Sequence, residues 1–268
     1  MSALDAELAQ HRRWKLKPRF AGTRMFDRIL ENEFRSPDEH FEREARALRQ
    51  MLRFAANQTA YYADLFARLG LTLGDIEALP DLAKLPVLNK HDVLDSKDAL
   101  SARRLPDGLK PGKVTRSSGT TGRRVAVMHS SNRRMVFSLL LHRNVRWAEL
   151  DPMGKRLDVR ATGELKRFAD GAPDPDAELG VRDGWLGLSE FFHTGPDYAF
   201  NVRNPMELQV EWVERIQPDY VMSYPTVFEE WLPATEGRKP AESIRMLIGI
   251  GAQMTPSLRR ALQKAYGA

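Results

Sequence analysis

The spacing of apolar residues predicts helices in the first part of the chain. Over residues 39–57, apolar side chains recur at every third or fourth position with charged residues between them, as in a helix that buries one face. A second helical pattern begins at Tyr61 and ends at Gly70, a residue that readily adopts the left-handed conformation closing many helices. Prolines then recur too often for another long helix: Pro80, Pro86, Pro106 and Pro111. We predict a helical and looping section over residues 1–110.

From Gly112 onwards, short apolar segments alternate with amphipathic segments, which is the pattern of an α/β layer. The apolar segments predict strands at residues 113–116, 125–129, 156–161, 220–223 and 245–250. Helical spacing predicts helices over residues 135–147, 206–216 and 227–232. Thr255 as N-cap and Pro256 at the first helical position predict the start of a further helix, which ends at Gly267. Residues 162–183, rich in Gly, Pro, Asp and Ala, are predicted to form a long surface loop. We therefore expect an α/β part over residues 111–268.

The composition excludes several classes of protein. The 268 residues, 42% of them hydrophobic, suffice for a globular core. The absence of cysteine excludes disulfides, thiolate catalysis and cysteine-based zinc sites. Residues 1–20 mix acidic and basic side chains and lack the apolar core of a secretory signal. No apolar run approaches the roughly 20 residues that span a bilayer, so we expect a soluble cytoplasmic protein without a membrane partner.

The charge balance bears on the kind of ligand. A net charge of +5 and a pI of about 9.5 weakly favour an anionic ligand such as a nucleotide. The basic residues are interspersed with acidic ones and form no dense stripe, so we do not predict a nucleic-acid partner. A basic nucleic-acid-binding protein is the less favoured alternative.

Residues 117–124 hold four hydroxyl side chains, two glycines and two arginines between two predicted strands. Glycine lets backbone N–H groups approach phosphate oxygens, hydroxyls add donors, and guanidinium groups bind phosphate as a planar fork. A solvated hairpin turn uses many of the same residue types, so the composition leaves both interpretations open. A P-loop ATPase is disfavoured, because the Gly-Lys-Ser/Thr step into a helix is missing and the strand-forming residues 125–127 follow.

The Ser-Ser-Gly-Thr-Thr-Gly sequence of this loop resembles the phosphate loop of the adenylate-forming superfamily, the acyl-coenzyme A synthetases and their relatives. Further segments resemble the phenylacetate-coenzyme A ligase-like branch, which includes capsule-biosynthesis homologues. They are Tyr-Tyr-Ala-Asp-Leu-Phe at 61–66, the stretch 75–90, Pro-Asp-Tyr-Val-Met-Ser-Tyr-Pro-Thr at 218–226, and Gly-Ile-Gly-Ala-Gln-Met-Thr-Pro at 249–256. Their order and spacing agree, so the resemblance covers roughly residues 40–268.

The resemblance implies the front part of the large N-terminal domain of an adenylate-forming enzyme. The implied reaction joins a small carboxylic acid to the α-phosphate of ATP, with Mg2+, and passes the acyl group to coenzyme A. The implied binding residues for the β and γ phosphates are Ser117, Ser118, Gly119, Thr120, Thr121, Gly122 and Arg123. The adenine side is implied at Gly251, Ala252 and Gln253, and the substrate pocket at Tyr224, Pro225 and His193.

Some residues depart from the family pattern. Arg124 replaces a common proline, and Gln253 stands where this branch often has glutamate, which removes a charge near the nucleotide. The family's Tyr-Gly-x-Thr-Glu-like segment, ribose-binding aspartate, hinge and C-terminal lysine domain lie beyond the positions matched here. We therefore expect a truncated fold, assign no catalytic residue and no metal ligand, and leave open whether the chain is active alone. The alternative is a non-catalytic or split-enzyme fragment that binds a nucleotide, associates with itself or binds a complementing half.

Overall fold

The computed structural model of the protein describes residues 14–20, 23–117, 123–160 and 179–267. The chain forms two compact units. The front unit is Met25–Phe137, and the sheet unit combines Met1–Arg24 with Ser138–Ala268. The α/β fold class is confirmed, whereas the functional division at about residue 110 stays a prediction.

The front unit begins with helices whose ends follow from local sequence. Ser36 and Glu39 form a capping box, in which the Glu39 amide donates to Ser36 Oγ (3.3 Å) and the Ser36 amide donates to Glu39 Oε2 (2.9 Å). The helices are α1 (Met25–Glu33), α2 (Pro37–Gln58), α3 (Ala60–Leu69), α4 (Lys90–Asp95) and α5 (Lys97–Leu100). Gly70 closes α3 with φ +63°, as predicted. Within the described residues, no helix is both long and apolar enough to cross a membrane.

A two-stranded antiparallel hairpin completes the front unit. Strand β1 (Pro111–Arg116) pairs with β2 (Ala126–Ser130), and the side chains of Thr115 and His129 share a hydrogen bond of 2.7 Å across them. Helix α6 (Arg133–Trp147) follows the hairpin. The strand predictions at residues 113–116 and 125–129 are confirmed to within two residues at each end.

The sheet unit contains a five-stranded sheet in the order β4-β5-β3-β6-β7. Its strands are β3 (Arg156–Arg160), β4 (Leu179–Arg182), β5 (Asp197–Asn201), β6 (Tyr220–Ser223) and β7 (Met246–Gly249). All neighbouring pairs are parallel except β4 with β5. The connecting helices are α7 (Met206–Ile216), α8 (Pro225–Ala234) and α9 (Pro256–Tyr266).

The structure corrects the sequence prediction at one edge of this sheet. The predicted surface loop over residues 162–183 includes β4, which pairs antiparallel with β5, a strand that the sequence pattern did not predict. Both strands are short and depend on partners distant in sequence, which explains why local periodicity missed them. Residues 161–178 lie outside the described residues.

Strand β3 divides the unit into an apolar and a polar side. Leu157 and Val159 point to one face, where they join the core that α7, α8 and α9 cover. Arg156 and Asp158 point to the other face, and both are also buried. Since parallel strands are buried on both faces, the polar side requires partners for its charges.

Asp197, at the start of β5, supplies most of those partners. Its two oxygens accept a forked pair from Arg156 Nε (2.9 Å) and Nη2 (2.8 Å), and Oδ2 also accepts from Arg182 Nη1 (2.8 Å) and the Leu186 amide (3.1 Å). The indole of Trp185 lies 5.3 Å from the Arg156 guanidinium. The cluster joins β3, β4 and β5 at their shared end.

We predict that Asp197→Asn lowers the free energy of unfolding by about 3–5 kcal/mol, because it removes the forked counter-charge of the buried Arg156 guanidinium. Urea unfolding followed by circular dichroism measures the loss. The matched control is Asp107→Asn, which breaks the exposed pair with Arg104 (2.7 Å) and should change stability by less than about 1 kcal/mol. Equal effects of the two substitutions would contradict a structural role for the buried cluster.

Candidate functional site

The predicted phosphate loop is closed at its base by Ser117 and Val125. The Ser117 amide donates to the Val125 carbonyl (2.9 Å), and the Val125 amide donates to Ser117 Oγ (3.0 Å). The loop therefore joins two antiparallel strands, not a strand and a helix. Its central residues Ser118, Gly119, Thr120, Thr121 and Gly122 lie outside the described residues, so their roles stay predictions.

Arg123, the charged residue of this loop, has an acidic partner that the sequence did not suggest. Its Nη2 lies 2.9 Å from Asp95 Oδ1 at the end of α4, and the two side chains are 60% and 64% exposed. An ion pair this exposed contributes at most about 1 kcal/mol. An incoming polyphosphate could therefore replace Asp95 at little cost. The partners are 28 positions apart, and no local motif marks Asp95.

The sheet unit brings Tyr224 and Gly251 together at the carboxyl edge of the sheet. Tyr224 follows β6, and Gly251 lies in the loop after β7 with φ +76°. A Cβ atom on Gly251 would lie 3.0 Å from both Cδ1 and Cε1 of the Tyr224 ring. Glycine therefore lets the backbone approach this half-buried ring closely, and it also fits the left-handed conformation.

The neighbouring residues shape the rest of this edge. Pro225 starts α8 and is buried, and a Cβ atom on Gly249 would lie 3.6 Å from its Cγ and 3.2 Å from Met254 Cε. Ala252 and Gln253 are exposed. Ligands of open parallel sheets commonly bind outside the carboxyl ends of the strands, which is where these residues lie.

His193 lies at the opposite edge of the sheet. It precedes β5, and its amide donates to the carbonyl of Lys15 (2.8 Å) while its side chain is exposed. Nearby, the Gly195 amide donates to the carbonyl of Pro152 (2.9 Å), just before β3 begins. The topology thus separates His193 from Tyr224 and Pro225, and its pocket role stays a prediction without geometric support.

Asp158, in the middle of β3, is a buried acid that the sequence analysis did not single out. Its Oδ2 pairs with Arg160 Nη2, whereas Oδ1 has no hydrogen-bond partner among the described residues. Burial raises the pKa of this carboxyl, and the attraction of Arg160 and Arg156 opposes the shift. The alternation of charged and apolar residues along this strand, Arg-Leu-Asp-Val-Arg, was the sequence pattern that could have identified Asp158.

The described residues offer no preformed metal site. Among them, no three His, Asp or Glu side chains come together in an arrangement that could hold a metal ion. Mg2+ in nucleotide sites is commonly held by one or two carboxylates together with the phosphates. We therefore assign no side chain of the described chain to Mg2+.

Comparison with known proteins adds a structural likeness. No family model and no curated protein matches the sequence. Solved structures of a 2-hydroxyisobutyryl-CoA ligase do match the fold. The chain shares its fold with a CoA ligase. One such structure, in complex with 2-HIB-AMP and CoA in the thioesterification state, has 17% identity and a TM-score of 0.63 over 87% of this chain and 48% of the ligase.

Two further structures of that ligase match this chain to a similar extent. The postadenylation state with 2-HIB-AMP has 17% identity and a TM-score of 0.62 over 87% of this chain and 47% of the ligase. An open conformation with 2-HIB-AMP and CoA has 18% identity and a TM-score of 0.58 over 84% of this chain and 50% of the ligase. The chain thus spans about half the length of the ligase whose fold it shares.

We predict that Gly251→Ala destabilises the ligase-like sheet unit more than Gly237→Ala does. Both glycines have positive φ, +76° and +69°, but a Cβ at Gly237 meets nothing within 4 Å. The backbone cost of about 1–2 kcal/mol is therefore shared, and only Gly251→Ala must also displace Tyr224, at about 1 kcal/mol more. Urea unfolding compares the two variants, and the Tyr224 ring shifts in NMR spectra report the displacement. Equal losses with unmoved Tyr224 signals would refute the contact.

Asp158 predicts a pH dependence. Its pKa is raised in the folded chain, so the folded chain holds this proton more tightly than the unfolded chain. Its contribution to the free energy of unfolding therefore falls as the pH rises from about 4, the ordinary aspartate pKa, to the raised value. Asp158→Asn cannot titrate, so the stability of the variant minus that of the native chain should increase with pH over this window.

Unfolding curves at several pH values measure that difference. Asp81→Asn serves as a control of opposite sign, because hydrogen bonds from Lys84 and from the Ala78 and Glu77 amides lower the pKa of Asp81 to about 2. The stability of Asp81→Asn minus that of the native chain should decrease between about pH 2 and pH 4. If the stability difference between Asp158→Asn and the native chain did not change with pH, the raised pKa of Asp158 would be contradicted.

Proposed function

We propose that this chain takes part in the ATP-dependent activation of a small carboxylic acid, forming an acyl adenylate whose acyl group passes to coenzyme A. The observation that carries the proposal is the loop of residues 117–124, rich in hydroxyl and glycine residues, which Ser117 and Val125 close at its base. Arg123 flanks it with a partner that an anion can replace. The fold shared with a CoA ligase supports the same assignment.

In this proposal, the loop holds the β and γ phosphates. Backbone N–H groups at Gly119 and Gly122 and the hydroxyls of Ser118, Thr120 and Thr121 would donate hydrogen bonds. Arg123 would exchange Asp95 for the terminal phosphate group, which near neutral pH carries more negative charge than a carboxylate and matches the planar fork of the guanidinium. Mg2+ would accompany the phosphates, and its protein ligands are left unassigned.

The carboxyl edge of the sheet would form a second binding surface, for an aromatic base or an acyl group. The half-buried ring of Tyr224, which Gly251 approaches closely, would be the flat apolar part of this surface. Ala252 and Gln253 extend this surface, with Gln253 able to donate and accept hydrogen bonds. Tyr224, Pro225 and His193 are the pocket residues that the resemblance implies, and of these Tyr224 and Pro225 are adjacent at the carboxyl edge.

The chemistry that such a site supports is substitution at phosphorus followed by acyl transfer. A carboxylate oxygen of the substrate attacks the α-phosphorus, the bond to the bridging oxygen of pyrophosphate breaks, and pyrophosphate leaves. The thiolate of coenzyme A then attacks the acyl carbon, and AMP leaves. The demand on the protein is charge neutralisation and in-line positioning. Membership of the phenylacetate-coenzyme A ligase-like branch, including its capsule-biosynthesis homologues, is part of the proposal and rests on sequence resemblance.

A second candidate function is nucleotide or partner binding without catalysis. The exposed pair of Arg123 with Asp95 supports this candidate equally, because the exchange of Asp95 for a phosphate needs no catalytic group. In that case ATP binds to the loop but no acyl adenylate forms.

The test combines ATP binding with the exchange of labelled pyrophosphate into ATP across a panel of carboxylic acids. We predict that Arg123→Ala weakens ATP binding about tenfold, because a charge-assisted contact is lost. Asp95→Asn should instead tighten it two- to threefold, about 0.5 kcal/mol, since Arg123 no longer has a competing partner. Isothermal titration calorimetry at low salt measures both changes.

The outcomes separate the candidates. ATP binding with acid-dependent exchange supports carboxylate activation, and ATP binding without exchange for any acid supports the non-catalytic alternative. Duplex binding that high salt abolishes, without any response to ATP, would favour the nucleic-acid alternative instead. If ATP does not bind, or if Asp95→Asn and Arg123→Ala behave alike, the phosphate-loop assignment fails.

A further inference from the structure

Strands β3 and β6 are neighbours in the middle of the sheet, but the strands that follow them lie on opposite sides. The strand order is β4-β5-β3-β6-β7. The next described strand after β3 is β4, on one side, whereas the strand after β6 is β7, on the other. A parallel sheet that diverges in this way has a crevice between the carboxyl ends of the two neighbouring strands, and ligands commonly bind there.

Arg160 borders this crevice. It is the last residue of β3 and pairs in register with Asn201, the last residue of β5. The preceding residue, Val159, pairs with Ser223 of β6, so Arg160 is level with Tyr224. Because adjacent strands lie about 5 Å apart, the backbone of Arg160 and that of Tyr224 form the two sides of the crevice.

The guanidinium of Arg160 is anchored without being enclosed. Its Nη2 donates to Oδ2 of Asp158, whose side chain is 2% exposed, while the side chain of Arg160 itself is 34% exposed. A guanidinium has five N–H groups, and Asp158 is its one partner among the described residues. The remaining N–H groups can therefore donate to a ligand.

The residues around Arg160 favour an anion. Asn201 Oδ1 accepts from the Arg203 amide (3.0 Å), which leaves the Asn201 Nδ2 group as a donor. The segments that join the strand ends to the following helices, residues 201–205, 224 and 250–255, contain no Asp or Glu. An anionic ligand at this edge therefore meets no carboxylate from those segments.

We propose that Arg160 binds an oxyanion of the substrate in this crevice, with Asn201 as a second donor, and that Asp158 positions the guanidinium. Two groups have the required chemistry, the carboxylate of the small acid and the α-phosphate of the nucleotide. The proposed reaction brings these two anions together, so the inference rests on the proposed function and adds a binding residue to it. A cation at this point would lower their mutual repulsion before the carboxylate attacks phosphorus.

The experiment titrates the full chain separately with two probes, phenylacetate for the carboxylate and AMP for the phosphate. Loss of Arg160 alone would leave the buried Asp158 carboxylate without its partner, so the comparison is made in the Asp158→Asn background. There, Arg160→Gln should weaken the binding of at least one probe about tenfold, because a charge-assisted contact is lost. The probe that loses affinity identifies the oxyanion. Arg160→Lys should recover part of the loss, since it keeps the charge but not the planar fork.

Arg203→Gln is the matched control, because Arg203 is an exposed arginine near the same edge. It should change the binding of either probe by less than about twofold, since exposed charges that make no direct contact are screened. In the native chain, the probe that binds should also slow the reaction of Arg160 with phenylglyoxal at least about threefold, but not that of the exposed Arg215 on α7.

The inference is overturned if neither probe binds, if the changes at Arg160 and Arg203 have equal effects, or if the bound probe does not slow modification of Arg160. ATP binding that depends on Arg123 while the Arg160 variants bind both probes normally would also overturn it, and the proposed function would stand. Probe binding that depends on Arg160, in a chain that does not bind ATP, would support the anion site and remove the phosphate-loop assignment.

Discussion

The sheet unit depends on the need of strand β3 to bury two faces of opposite character. Leu157 and Val159 contribute to an ordinary apolar core, but Arg156 and Asp158 on the other face are buried too. A buried charge is stable only if a partner and further hydrogen bonds offset the free energy lost when its hydration is removed. Asp197 accepts two hydrogen bonds from Arg156 and balances its charge, and this contact holds β5 beside β3. The desolvation of Asp158 is offset less completely, because its Oδ1 has no hydrogen-bond partner among the described residues.

This arrangement determines where the candidate site can form. Polar contacts such as Asp197 with Arg156 and Arg182 tie the strands together at the amino edge, so that edge is occupied by structural interactions. The carboxyl edge has fewer of them, and it places Tyr224 beside Gly251 through strand order alone. His193 lies at the amino edge, and its pocket role stays a prediction. Ligands of open parallel sheets commonly bind outside the carboxyl ends of the strands, where Tyr224 and Gly251 lie.

Local signals made part of the fold predictable from the sequence. Strand β6 and helix α9 were predicted at or close to their observed ends, because a compact apolar run and a Thr255-Pro256 start are encoded within a few residues. Strand β5 was missed because it is stabilised by pairing with β3, some forty positions away. The same limit applies to the site. Resemblance pointed to Arg123 and Gly251, but the pairing of Arg123 with Asp95 and the close approach of Gly251 to Tyr224 are contacts between distant segments.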